Sequence, residues 1–400
     1  MAGIVVIGAG QAGSSLVVKL RALGYDGDVT LIGDEPVPPY QRPPLSKAYL
    51  LGKMGVERLF LRPEAYYSDH KITLRMGTPV TRIDAATKTV FLGDEALAYD
   101  QLALTTGAEP RQLPAAIGGQ LEGVYAVRRL SDIDTMAAEF TEGRRVLIVG
   151  GGYIGLEAAA VAAQKGLQVT VLEAAPRILG RVASPETADF MRDLHTSHGV
   201  TIREGVGLTR LIGDSRVTGA ELADGSTMQV DFVIAGIGIN PAAALAEAAG
   251  LTMENGISVD EQGRTSDAAI WSAGDCASFV YKGARIRLES VQNAIDQAEA
   301  VAANMLGAGK AYAPMPWFWS DQYDVKLQIA GLNTGYDRIV TRVSGTARSH
   351  WYFRGDSFLA VDAMNDPRAY MVGKRMLEQG ITPDPTALEN PETELKTLLK

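Results

Sequence analysis

Two glycine-rich turns of one kind stand roughly 140 residues apart, each directly after a short aliphatic run. The first reads Gly8-Ala9-Gly10-Gln11-Ala12-Gly13 and follows Ile4-Val5-Val6-Ile7. The second reads Gly150-Gly151-Gly152-Tyr153-Ile154-Gly155 and follows Val146-Leu147-Ile148-Val149. In a strand–turn–helix unit the first glycine lets the chain turn, the second lets backbone approach a pyrophosphate, and the third lets helix and strand pack closely. The helix N-terminus adds free N–H donors and partial positive charge. Such a unit also needs an acid after its second strand, to accept from ribose hydroxyls. Asp34, with Glu35 as an alternate, follows Val29–Ile32, and Glu173 follows Val169–Leu172. Two complete units predict two dinucleotides on one chain.

The remaining totals narrow the class. Four hundred residues exceed one compact domain. There is a single cysteine, Cys276, so no internal disulfide can form and no thiolate metal site is expected. No metal is expected elsewhere: His195 and His198, three apart on a predicted helix, lack a matching carboxylate or cysteine pattern and read as a solvated pair. The formal net charge of −9 argues against nucleic acid or anionic lipid as partners. No apolar run reaches a membrane-spanning length, and the N-terminus enters a strand without a signal-like segment, which predicts a cytoplasmic protein.

Periodicity and turn residues predict an α/β fold: two Rossmann-like dinucleotide-binding domains followed by a C-terminal α+β domain. Strands are expected at 3–8, 29–32, 71–75, 79–83, 88–92 and 101–106, the last ending at Thr106-Gly107. The second unit has a helix at 131–141 capped by Ser131, strand 145–149, an Ala-rich helix at 154–165, strand 168–172, a helix at 185–198 and a strand ending in Gly236-Ile237-Gly238. Beyond Pro314 and Pro316 the pattern alternates at 326–330, 337–343, 348–353 and 357–362, then gives a helix at 366–378.

The run Ile270-Trp271-Ser272-Ala273-Gly274-Asp275 is a strand ending in Gly-Asp, where a carboxylate can bond ribitol hydroxyls. It resembles the second flavin motif of two-dinucleotide flavoproteins. That assigns FAD to the first turn and NADH to the second, with a discontinuous FAD domain (1–110 and 245–316), an NADH domain (111–244) and an interface domain (317–400). Glu173 favours NADH, because a carboxylate repels a 2′-phosphate. Arg177 and Arg181 either soften that preference or are ordinary surface cations.

Further stretches make the resemblance specific: Pro38-Pro39-Tyr40-Gln41-Arg42-Pro43-Pro44-Leu45-Ser46-Lys47, Gly150–Glu157, Val233–Gly238, Gly274-Asp275-Cys276, Glu289–Ala294 and Trp317-Phe318-Trp319-Ser320-Asp321-Gln322. Over essentially its whole length the chain resembles the FAD- and NADH-dependent ferredoxin reductases of oxygenase systems. The resemblance implies FAD contacts at Ala12, Asp34, Arg42, Lys47 and Val80, at Thr106, Gly107 and Arg128, and at Gly274, Asp275, Val291 and Trp319. It implies an NADH site lined by Gly152, Tyr153, Ile154, Glu157, Glu173, Gly238 and Glu289. It also implies that Lys47, ion-paired with Glu157, stands near flavin N5. Trp319 either approaches the flavin from the C-terminal domain or packs with Trp317 at an interface.

Disulfide reductases of this architecture carry cysteines after the first βαβ unit; this chain has Pro43-Pro44-Leu45-Ser46-Lys47 there. Electrons must therefore leave the flavin directly. The family implies a [2Fe–2S] ferredoxin as acceptor, serving a cytochrome P450 or a ring-hydroxylating dioxygenase, and a monomer or weak dimer. Basic docking candidates are Arg62, Arg285, Arg287, Lys326, Lys374 and Arg375, while Glu299 stands where the family suggests a basic helix. Competing expectations are a rubredoxin reductase, a reductase of monodehydroascorbate or a quinone, and a slow redox-sensing binding protein.

Overall fold

The computed structural model describes residues 3–399. Two compact units divide the chain: one comprises residues up to Gln41, Gly55–Glu109 and Ile239–Pro314, the other Arg42–Met54, Pro110–Gly238 and Met315 onward.

The first unit is built on five parallel strands in the order Ile270–Ser272, Gln101–Leu104, Ile4–Ile7, Val29–Ile32, Ile72–Arg75. Strand Ile4–Ile7 is buried on both faces, which is why it reads as a continuous aliphatic run. Ile4 and Val6 enter one core with Leu16, Val17 and Leu20 of helix Gln11–Ala22 and Val301 of helix Val291–Met305. Val5 and Ile7 enter another with Leu102 and Leu104. Leu16 and Leu20 are fully buried, and each such side chain contributes roughly 1.5–3 kcal/mol. The second core is closed by antiparallel strands Arg82–Asp84, Thr89–Leu92 and Glu95–Ala98. The last of these was not expected.

The second unit repeats the plan. Its parallel order is Thr201–Glu204, Gln168–Glu173, Arg145–Val149, Phe232–Ala235, Val124–Tyr125. Helix Tyr153–Gln164 buries Leu156, Glu157 and the run Ala158–Ala162. Buried all round, it needs alanine so that the sheet and its other neighbours can close in. The C-terminal part is an antiparallel sheet in the order Trp317–Gln322, Val325–Gly331, Ser357–Met364, Ala347–Arg354, Arg338–Ser344. Helix Pro367–Gln379 lies on it with Val372 and Met376 in the core. An added Cβ on Gly373 would fall 2.6 Å from Val361 Cγ1, so only glycine allows that approach.

The expected α/β architecture is the observed one, with local differences. The helix expected from Ser131 starts at Leu130: Asp132 accepts from the backbone N–H groups of Arg128 and Arg129 at 3.0 and 2.7 Å and so sets the N-cap two residues earlier, at Arg129. Residues 42–54, expected with the first nucleotide domain, group with the second unit. That unit also joins Pro110–Gly238 to the C-terminal sheet through a shared core, in which Val325, Leu327 and Met364 meet Tyr153, Phe190 and Leu194. Among the described residues no helix is long and apolar enough to cross a membrane.

Candidate functional site

The outer glycines of each turn are demanded by the protein itself. Gly8 has φ +107°, and a Cβ there would fall 2.3 Å from the Thr105 carbonyl oxygen; one on Gly13 would fall 2.0 Å from the Gly8 oxygen. Gly150 has φ +111°, with the Gly236 oxygen 2.3 Å from its added Cβ, and the Gly150 oxygen lies 2.2 Å from a Cβ on Gly155. The middle glycines differ: a Cβ on Gly10 or Gly152 would meet no protein atom within 4 Å. Among the described residues no contact requires glycine there, and the space is open to a group from outside the chain. Neither helix carries a side-chain cap or a first-turn acid, whereas Ser184, Ser290 and Asp366 cap other helices. Both turns thus fit a bound pyrophosphate.

The acids sit differently at the two turns. Glu173 Oε2 accepts from Gly151 N–H at 2.8 Å and Oε1 from Ala175 N–H at 2.7 Å. Each oxygen keeps a lone pair for a ribose hydroxyl. Asp34 is exposed beyond strand Val29–Ile32. Glu35, the alternate, accepts from the Tyr40 hydroxyl at 2.7 Å. Gly8 N–H bonds the Ile32 carbonyl as Gly150 N–H bonds that of Leu172, so the register equivalent of Glu173 is Gly33. A Cβ on Gly33 would fall 2.7 Å from Ala9 Cβ. Arg177 donates to the Ala183 carbonyl at 2.9 Å and is a structural cation. Arg181 is exposed, and its guanidinium lies 3.7 Å from where a Cβ on Gly238 would stand, with the Arg111 side chain at 3.8 Å.

In the first unit, Gly274 comes back to the first glycine turn. It has φ +83°, and its added Cβ would fall 3.0 Å from that of Ala12. Its N–H bonds Gln297 Oε1 at 2.9 Å. Asp275 follows, its carbonyl accepting from Arg287 at 3.0 Å, and Val291 opens a helix capped by Ser290. Thr106 and Gly107 hold the backbone of Ala242, and Val80 is half-buried against the neighbouring core. Glu289, expected with the NADH residues, belongs to this unit and pairs with Arg287 at 2.7 Å.

In the second unit, Leu45–Tyr49 forms a helical turn broken at Lys47, whose φ −131° and ψ −108° are non-helical. Lys47 Nζ stands 2.8 Å from Glu157 Oε2. The Glu157 side chain is only 8% exposed, which only a well-satisfied carboxylate tolerates. Ser320 donates to its Oε1 at 2.7 Å and Ser46 to Oε2 at 3.4 Å. Arg42 donates to the Arg128 carbonyl at 2.6 Å, bringing two further expected residues together. Strand Trp317–Gln322 alternates: Trp317 and Trp319 share one face, ring centroids 5.6 Å apart, while Phe318, Ser320 and Gln322 share the other.

Four sequence expectations need adjustment. The Tyr153 ring packs 5.0 Å from that of Phe318, and burial pushes its phenol pKa well up, so its side chain is turned into the protein; Ile154 beside it is 45% exposed. His195 is not solvated but fully buried, because the hairpin around Tyr323 covers it; His198 is exposed and stacks on the Tyr323 ring at 3.7 Å. Ser46 and Ser320 were not singled out, although both lie in stretches that carry the resemblance. Among the docking cations, Arg285 and Lys374 are paired with Glu254 and Glu378, and Glu299 with Lys19, whereas Arg62, Lys326 and Arg375 are exposed.

Comparison with known proteins agrees with this geometry. Residues 2–298 match the pyridine nucleotide-disulphide oxidoreductase family and residues 317–399 the reductase C-terminal family. Rhodocoxin reductase of Rhodococcus erythropolis is 43% identical, with 96% of this chain and 92% of that protein covered. The putidaredoxin reductase of a covalent complex with putidaredoxin matches with TM-score 0.96 and 39% identity, covering 100% and 98% of the chains. The ferredoxin reductase for the CYP199A2 system of Rhodopseudomonas palustris matches with TM-score 0.96 and 38% identity over 100% of both. The chain belongs to the pyridine nucleotide-disulphide oxidoreductase family and, within it, to the ferredoxin reductases. FAD and a pyridine nucleotide are its cofactors.

Proposed function

We propose that this chain is a cytoplasmic reductase that takes electrons from NADH, by way of FAD, and delivers them singly to a [2Fe–2S] ferredoxin that serves a cytochrome P450 or ring-hydroxylating oxygenase. The observation that carries the reading is the Lys47–Glu157 pair, which stands in the segment where disulfide reductases hold their thiols. The chain's one cysteine is buried and bonded to the Ser272 hydroxyl and the Leu104 carbonyl, so a thiol relay has no second thiol.

Gly8, Gly10, Ala12, Gly13, Asp34, Gly274, Asp275 and Val291 would hold FAD in the first unit. Gly150, Gly152, Gly155, Glu173 and Gly238 would hold NADH in the second. Bound FAD supplies the chemistry of accepting an electron pair and releasing single electrons. The chain supplies position and field. Lys47 presents a cation fixed by Glu157, which favours negative charge developing beside it. Glu173 orients the ribose through the turn that it braces. Trp317 and Trp319 offer two neighbouring aromatic faces, tilted 34° to each other, either of which a planar ring can stack on.

An assay with added partners tests the reading. NADH-driven reduction of cytochrome c should appear only when a [2Fe–2S] ferredoxin is supplied. Fast turnover with rubredoxin, a quinone or monodehydroascorbate in its place would reject it.

A further inference from the structure

A single file of buried hydrogen bonds runs from the C-terminal hairpin to the Lys47–Glu157 pair, wholly within the second unit. The Tyr323 hydroxyl lies 3.3 Å from His195 Nδ1, and His195 Nε2 lies 2.6 Å from Gln322 Oε1. Gln322 Nε2 donates to Ser320 Oγ at 3.0 Å, and Ser320 Oγ donates to Glu157 Oε1 at 2.7 Å. His195 and Ser320 are 0% exposed and Gln322 is 1% exposed.

Chemistry allows one assignment of the hydrogens. A carboxylate only accepts, so the Ser320 proton points at Glu157. Ser320 must then accept from an amide N–H, which fixes which end of Gln322 faces it. The Gln322 oxygen in turn needs a donor, so His195 carries its proton on Nε2, and Nδ1 accepts from Tyr323. Burial pushes the His195 pKa down to about 4, so the ring is neutral at pH 7 and can hold that single tautomer. Tyr323 closes the file from a left-handed backbone position, φ +55°, in the two-residue turn between Gln322 and Val325. His198 stacks on its ring.

We infer that His195 is a positioning residue for electron uptake from NADH, acting through Gln322 and Ser320 to pin Glu157 Oε1 and thereby leave Oε2 to Lys47. Without the Nε2 proton, the buried Gln322 oxygen loses its partner and the amide can turn over. Ser320 then faces a carbonyl instead of an N–H and gives its proton to it. Glu157 loses its second anchor, and the Lys47 ammonium is no longer held at one place. The inference rests on the reading of Lys47 and Glu157 as the pair that acts on the cofactors.

The test uses the FAD-loaded enzyme, NADH and anaerobic single-turnover mixing. His195→Leu should slow flavin bleaching roughly tenfold to a hundredfold, the upper end being the cost of a misplacement of about 1 Å, while the apparent Kd for NADH stays within about twofold. His195→Gln, whose terminal amide can donate where Nε2 did, should recover most of the rate. In a Glu157→Gln background, His195→Leu should change little, because both act through one carboxylate. Equal slowing in both backgrounds would overturn the inference. Glu157→Gln reacting at the parent rate would instead sink the reading of the pair itself. Nitrogen-15 NMR of the unsubstituted protein, with and without FAD, gives a readout independent of variant folding. An Nε2–H tautomer at His195 supports the file, and an Nδ1–H tautomer or an imidazolium at pH 7 rejects it.

Discussion

Glu173 braces the second glycine turn: its Oε2 takes the Gly151 N–H at 2.8 Å. Replacing it therefore has two effects at once. Glu173→Ala frees the turn, raising KM for either nucleotide, and removes the charge that repels a 2′-phosphate. Arg181 and Arg111 stay beside Gly238 in that variant. The ratio of kcat/KM for NADH over NADPH should fall about tenfold, the value of roughly one lost hydrogen bond to a charged group. Steady-state kinetics with both nucleotides checks this, and an unaltered ratio would move the preference to another residue.

The middle glycines separate folding from binding. Gly10→Ala and Gly152→Ala add a methyl group that meets no protein atom within 4 Å, so both variants should fold. Gly10→Ala should be purified with little FAD, seen as loss of the flavin absorbance. Gly152→Ala should keep its flavin and show a raised KM for NADH. The reverse pattern would exchange the two assignments. Gly8→Ala and Gly150→Ala, by contrast, drive a Cβ to 2.3 Å from a carbonyl oxygen at positive φ and should yield little folded protein.

Lys47→Met leaves the Glu157 carboxylate buried without its cation. Breaking a buried pair from one side costs roughly 3 kcal/mol, part of which Ser46 and Ser320 offset here. Flavin reduction by NADH should slow on the order of tenfold to a hundredfold, as when one preorganised electrostatic partner is removed. Thermal melting and stopped-flow reduction separate the two losses. A variant that melts lower yet reduces at the parent rate would make the pair purely structural.

Acid should destabilise the second unit. Burial depresses His195 and His350 to about 4, below the ordinary 6.5 of the unfolded chain. The unfolded state therefore takes up protons first. The stability of the neutral rings is fully present above pH 6.5 and is lost as pH falls towards 4. Asp362, raised by burial to about 6, works against this, because its folded form takes up a proton between pH 6 and 3.8. Each histidine is worth at most about 3 kcal/mol across its window, and two outweigh one carboxyl. Thermal midpoints should fall between pH 6.5 and 4.5, and His195→Leu should flatten that slope. A midpoint that rises over the interval would contradict the assignment.

Local pattern carried much of the fold. Strands Arg145–Val149 and Phe232–Ala235 stand where apolar runs placed them, because a strand buried on both faces favours apolar side chains, whereas the equally buried Ile270–Ser272 carries a Trp and a Ser. Spacing led to Glu173, which braces its turn, but gave Asp34 where the register equivalent of Glu173 is Gly33. What escaped was long-range. The Leu45–Tyr49 turn directly follows Pro43 and Pro44 and has no period of its own; its shape is set against helix Tyr153–Gln164. The bond from His195 to Gln322 spans 127 residues, so nothing near His195 announces it. His195 and His198 share a helix face by spacing, and only the distant hairpin decides which one is covered.

The paired glycine turns also record how a duplicated motif stops being interchangeable. In the first copy Ala9 fills the space beside the second strand, so the facing position must be Gly33. In the second copy that space is given to Gly151, and the facing position is free to carry Glu173. The bulk has crossed from one side of the turn to the other, arriving as a carboxylate. Transplanting Glu173 alone onto position 33 would collide with Ala9; the two sites must be swapped as pairs. Positions 9 and 33 in one turn, and 151 and 173 in the other, are thus sterically coupled.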